Sequence, residues 1–178
     1  CFDKSYLDMA EEFHKVQPFF YDKVCLWWLW NFEKHCWEII DETDIMNRID
    51  SNLPKTTKTT SGGVKREILE SLERTGRKKY PKEAPVRWLQ FKDKVFSLRS
   101  KNVYDVQPNY FFTNPIPWKM GEISDTPLLD KLFEDWVGKD NVKTLYEIIS
   151  YCCYRSYPIQ VLFCFYGIGR NGKSQFQK

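Results

Sequence analysis

Long hydrophobic runs are missing from this chain. No apolar stretch approaches the roughly 20 residues that cross a bilayer, and the first residues show no charged-then-apolar leader. A soluble intracellular protein with no membrane partner is therefore expected. Histidine is scarce, limited to His14 and His35, and no C-x-x-C pair occurs among the six cysteines. That leaves no zinc site of recognisable spacing. Cys25 and Cys164 lie in apolar, strand-like runs and Cys152 and Cys153 in a helical pattern, so they are expected to be reduced core residues. His35 and Cys36 are neighbours, which on a strand face opposite sides, and they are assigned no nucleophile–base chemistry. No internal repeat is visible.

What the chain does have is bulk. Aromatic residues make up 17% of its 178 residues, enough to close a compact core and to exclude disorder over most of the length. Charge is unevenly spread: residues 55–101 carry a balance of +9, the remainder −6. A basic middle of this kind suits a surface that touches a phosphate backbone, and equally a solvated face. The candidates for DNA contact are Lys65, Arg66, Arg74, Arg77, Lys78, Lys79 and Lys82.

The expected fold is α+β. Phe19–Tyr21, Val24–Trp30 and Cys36–Ile40 are short apolar runs parted by polar turns, which predicts a strand meander. Trp27, Trp28, Trp30 and Trp37 are read chiefly as core, with base stacking as the lesser alternative. A helix follows to Leu53, capped by Thr43 or Asp44, with Ile45 and Ile49 on its apolar face. Residues 55–63 have nothing to bury and read as a linker or mobile loop. Val64, Ile68 and Leu72 then form one stripe of a charged helix ending near Gly76. Val86–Phe91 and Val95–Leu98 predict a hairpin, and the prolines of Val103–Trp118 an extended segment. Thr126-Pro127 opens an amphipathic helix, with Leu128, Leu129, Leu132, Phe133 and Trp136 on its apolar face, that closes at Gly138. A second helix follows, capped by Asp140 or Asn141.

The most informative stretch is Gly167-Ile-Gly-Arg-Asn-Gly-Lys-Ser174, a G-x-x-x-x-G-K-S phosphate loop placed directly after Val161–Tyr166, which reads as a strand. Glycines let backbone N–H groups converge on phosphate oxygens, while Lys173 adds a charge and Ser174 a hydroxyl for Mg²⁺. ATP with Mg²⁺ is the expected ligand. Residues 1–158 are then an accessory domain and 159–178 the first strand and phosphate loop of a truncated α/β ATPase domain. The start at Cys1 and the stop four residues past Ser174 read as a window on a longer polypeptide. Without an acidic strand end for Mg²⁺ or an arginine finger, the window alone is not expected to turn over ATP.

The form Gly167-x-Gly169-x-Asn171-Gly-Lys-Ser174 resembles the phosphate loop of superfamily 3 (AAA+) helicases in phage, plasmid and large-DNA-virus primase-helicases. Upstream, Phe111–Trp118, the helix pair and Tyr146–Tyr151 are similar to the domain preceding the motor in the poxvirus-type members. Gln175, where such loops often carry Ser or Thr, is a departure that leaves the phosphate-binding positions intact. The resemblance implies an ATP-driven replicative DNA helicase, a hexameric ring acting on single-stranded or forked DNA at a cytoplasmic prokaryotic or viral replication site. It further implies that Gly167, Gly169, Asn171 and Gly172 shape the cradle, that Lys173 is the catalytic contact to the β- and γ-phosphates, and that Ser174 binds Mg²⁺. No primase carboxylate motif is present. Two other readings stay open: a non-catalytic DNA-binding and oligomerisation module of a replication protein, and a small-molecule kinase.

Overall fold

A computed structural model describes residues 5–52, 62–122, 125–167 and 172–176. The first helix, α1 (Tyr6–Val16), lies ahead of every element the sequence pattern predicts. Ser5 starts it with a reciprocal box: its hydroxyl accepts the Asp8 amide at 3.3 Å, and the Asp8 carboxylate accepts the Ser5 amide at 3.2 Å. The predicted meander follows as an antiparallel sheet in the order β1 (Phe19–Tyr21), β2 (Trp27–Asn31), β3 (Cys36–Ile40).

Both faces of this sheet are covered, which explains the unbroken run Trp27-Trp28-Leu29-Trp30 where a half-exposed strand would alternate. Phe19, Trp27 and Leu29 point to one side. There they pack under α1, α2 (Glu42–Asn52) and α3 (Gly62–Gly76) with Phe13, Ile45, Ile49, Ile68 and Leu72. Phe20, Trp30 and Trp37 fill the opposite side with Trp28, Val106 and Phe111. The tryptophans are thus core, Trp28 through its indole N–H, which donates to Asp22 at 2.8 Å.

Asp41 caps α2, accepting the Asp44 amide at 2.8 Å, in place of the predicted Thr43 or Asp44. Leu53, the predicted end of this helix, and residues 55–61 of the expected loop lie outside the described residues. Gly62 and Gly63, assigned to that loop, belong to the first turn of α3. At its other end Gly76 needs no left-handed backbone; a Cβ there would meet the Tyr21 amide nitrogen at 2.8 Å. It is glycine because helix and strand touch.

The second β unit holds β4 (Lys82–Glu83) parallel to β8 (Tyr110–Phe111), and an antiparallel sheet of β5 (Trp88–Gln90), β6 (Lys94–Ser97) and β7 (Val103–Asp105). The hairpin is as predicted; β7 and β8 emerge from the segment expected to be merely extended. Val106 packs against both the aromatic patch and the neighbouring cluster of Ala84, Val95 and Phe112, making the two cores continuous. Hydrogen bonds join the units as well: Trp37 donates its amide to the Phe112 carbonyl at 2.8 Å and its indole N–H to the Tyr110 carbonyl at 3.0 Å.

Helices α4 (Pro127–Val137) and α5 (Val142–Cys152) are linked by a 3-10 turn at Lys139–Asn141. Gly138 closes α4 at φ +78°, where only glycine is unstrained. Asn141, one of the two expected caps, stands at the N-cap position of α5 but makes no side-chain cap bond, its amide turning back to the Val137 carbonyl at 3.0 Å. On the predicted apolar face of α4, Phe133 is buried but Leu128 is 85% exposed. Arg155 ties the end of this pair to the β unit, donating to the Ala84 carbonyl at 3.3 Å with its guanidinium 5.0 Å from the Phe112 ring centroid.

Candidate functional site

The run Val161–Tyr166 is not a strand among the described residues: it pairs with nothing there, and Leu162 and Tyr166 are 93% and 97% exposed. An apolar run becomes a strand only when a partner satisfies its backbone. The same segment carries Cys164 in the open, and Cys25 is exposed at a turn with φ +64°; Cys152 is exposed too, Cys153 half-buried. Of the five described cysteines only Cys36 is buried, so the expectation of core cysteines fails for the others.

At the phosphate loop, Gly167 and Gly172–Phe176 are described, while Gly169 and Asn171 lie outside the described residues. The Lys173 ammonium reaches back across the loop to the Gly167 carbonyl at 3.0 Å. One helical turn, α6 (Lys173–Phe176), opens at the lysine, its amides at Gln175 and Phe176 donating to the Gly172 carbonyl at 2.9 and 3.0 Å. Gly172 has φ +81°, and a Cβ built on it would overlap the Trp136 indole of α4. Phe176 packs against Phe133, Trp136 and Phe165 at 5.8, 6.4 and 5.1 Å between centroids. The loop is thereby moored to α4. The α4–α5 pair is itself tied by the Tyr146 hydroxyl, which donates to Asp130 at 2.6 Å.

Ser174 is exposed on the first turn of α6. Among the described residues no three His, Cys, Asp or Glu side chains gather to hold a metal. At the loop, Ser174 supplies a neutral hydroxyl, which fits Mg²⁺ arriving with nucleotide phosphates that supply its other oxygens.

The basic candidates do not form one cluster. Lys65 and Arg66 lie in the first two turns of α3, and Arg66 is paired with Glu70 at 3.0 Å. Arg74, Arg77, Lys78 and Lys79 lie at the other end, about 16 Å along the axis from Arg66 to Arg77, and all four are exposed. The Arg77 guanidinium lies 4.7 Å from the Tyr21 ring centroid and 4.0 Å from the Cys25 sulfur. Lys82 is exposed on β4. Burial first, and then the Lys79 charge, hold His14 below the usual imidazole range.

No protein-family model matches the chain, and neither does any curated protein. The site is therefore read from its own residues. Sequence reasoning passed over Trp136 as a partner of the loop, because its spacing marks it only as part of a helix face. It also passed over Tyr80, an exposed aromatic whose ring packs on Phe20 at 4.6 Å between centroids, beside the basic end of α3.

Proposed function

We propose that this chain is part of an ATP-dependent replicative DNA helicase of the superfamily 3 type, supplying the domain that precedes the motor and the phosphate-binding loop. The observation that carries the reading is the Lys173 ammonium held at the Gly167 carbonyl, at the two ends of a G-x-x-x-x-G-K-S loop that opens a helical turn. A phosphate entering the loop competes for that ammonium, and the charge-assisted contact outweighs the neutral carbonyl. In this reading Gly167, Gly169, Asn171 and Gly172 form the cradle, and Ser174 meets the Mg²⁺ of the nucleotide. Residues 159–178 then begin the ATPase domain, and Val161–Tyr166 awaits a sheet neighbour. The exposed cations of α3 give specific support to DNA as partner; assembly into a ring belongs to the same proposal.

Lys173→Ala is the test. In the protein that carries this chain, DNA-stimulated ATP hydrolysis is expected to fall to background while circular dichroism stays unchanged, since the lysine sits half-buried at the start of the single-turn α6. Full retained hydrolysis would sink the assignment.

A further inference from the structure

The charges on α3 divide into two ends with different surroundings. In the first two turns Arg66 spends its charge on Glu70. At the last turn and in the residues just past it, among the described residues, none of Arg74, Arg77, Lys78 and Lys79 sits in an ion pair. The nearby Asp22 is buried, its carboxylate occupied by three N–H donors, and its charge reaches Arg77. Glu73 is the acid whose charge reaches Tyr21. Packing of Gly76 against Tyr21 sets this helix end beside the β1–β2 turn, which adds the exposed Lys23. Cations at a helix C-terminus are favoured by its dipole, but that does not account for Tyr80. Its ring lies against Phe20 and remains 57% exposed, in the turn that carries Lys78 and Lys79.

We infer that the end of α3, the turn after it and the β1–β2 turn form a face for single-stranded nucleic acid, with Lys23, Arg74, Arg77, Lys78 and Lys79 meeting phosphates and Tyr80 stacking on a base. The inference rests on the proposed reading of the chain as a DNA-contacting replication protein, and narrows it. Lys65 and Arg66 are excluded from the face, and Tyr80 makes it selective: a duplex presents phosphates but hides the faces of its bases, whereas a single strand presents both.

Fluorescence anisotropy of the 178-residue chain with labelled dT20, rU20 and a 20-bp duplex, across a salt series without nucleotide, tests it. Single strands are expected to bind more tightly than duplex. Lys78→Glu/Lys79→Glu should weaken binding at least about tenfold and flatten the salt slope by about 1.4, two phosphates at roughly 0.7 each. Tyr80→Ala should cost about 5- to 100-fold with the slope unchanged. Lys65→Glu/Arg66→Glu should change affinity by less than half as much, on a logarithmic scale, as the Lys78/Lys79 reversal. Thermal melting verifies that each variant is folded, and Arg77 is left in place because it packs on Tyr21. If the unaltered chain binds none of the three, both the inference and the nucleic-acid reading fall. Binding that the Lys78/Lys79 and Tyr80 variants leave intact overturns the face alone. Binding lost on charge reversal but indifferent to Tyr80 and to strandedness overturns the single-strand assignment. Preference for rU20 over dT20 keeps the face and moves the partner from DNA to RNA.

Discussion

Asp22 organises the β1–β2 turn from a buried position. Its carboxylate accepts the Val24 and Leu26 amides, each at 2.9 Å, and the Trp28 indole N–H at 2.8 Å. Burial by itself would raise its pKa; the donors from Leu26, Trp28 and Val24, with the Arg77 charge, outweigh it and hold the group below the usual aspartate range. A depressed carboxylate contributes stability that is complete above its unfolded pKa of about 3.9 and is lost as pH falls through the folded value. Asp22→Asn sets an amide N–H against the indole or the turn amides, and should cost about 1–3 kcal/mol at pH 7. Urea unfolding of both proteins at pH 7 and pH 3 checks this. The gap should narrow at the lower pH, and a gap that stays constant would remove the charge from the account.

Gly76 and Gly63 lie in the same helix and should respond oppositely to a methyl group. At Gly76 the new Cβ meets a backbone nitrogen of β1, so helix and sheet must part, at about 1–3 kcal/mol and roughly 5 °C in Tm. At Gly63 nothing lies within 4 Å, and Gly63→Ala should stabilise by about 0.4–1 kcal/mol. Paired thermal melts measure both signs; equal effects would mean that close approach is not what selects glycine at 76. The elements themselves were legible wherever pattern and punctuation agreed: the meander, α3 and its stop, the β5–β6 hairpin, and α4 between Pro127 and Gly138. Short-range chemistry was legible but overlooked at Ser5 and Asp8, where the box marks α1. Pairing between segments distant in sequence was not legible. Val161–Tyr166 has the composition of a strand and lies unpaired among the described residues, whereas Lys82-Glu83 has the composition of a loop and pairs with Tyr110-Phe111. A ladder depends on residues distant in sequence, and no local pattern encodes them. For the candidate site, the motif was plain in sequence, while the division of the basic residues between two ends of α3 required the fold.

Across the molecule, the meander and the second β unit behave as one body. Trp37 bonds to the backbone at Tyr110 and Phe112, the His35 ring lies 2.6 Å from the Lys92 carbonyl, and Val106 joins the two cores. Because a carbonyl only accepts, the His35 nitrogen that faces it carries the proton. Trp37→Phe removes one of these bonds and some ring volume, at about 1–2 kcal/mol. Native-state hydrogen exchange should show protection falling together in residues 19–40 and 82–112; loss confined to one would separate the units. The helix pair joins this body through Arg155 and holds the phosphate loop through Trp136. That mooring places two unrelated demands on a single hydrogen atom. Gly172 must lack a side chain because a tryptophan ring 36 positions earlier fills the space, whether or not a nucleotide ever arrives. An inactive Gly172→Ala protein would therefore testify to helix packing as readily as to phosphate binding, and the ammonium of its neighbour is the better witness.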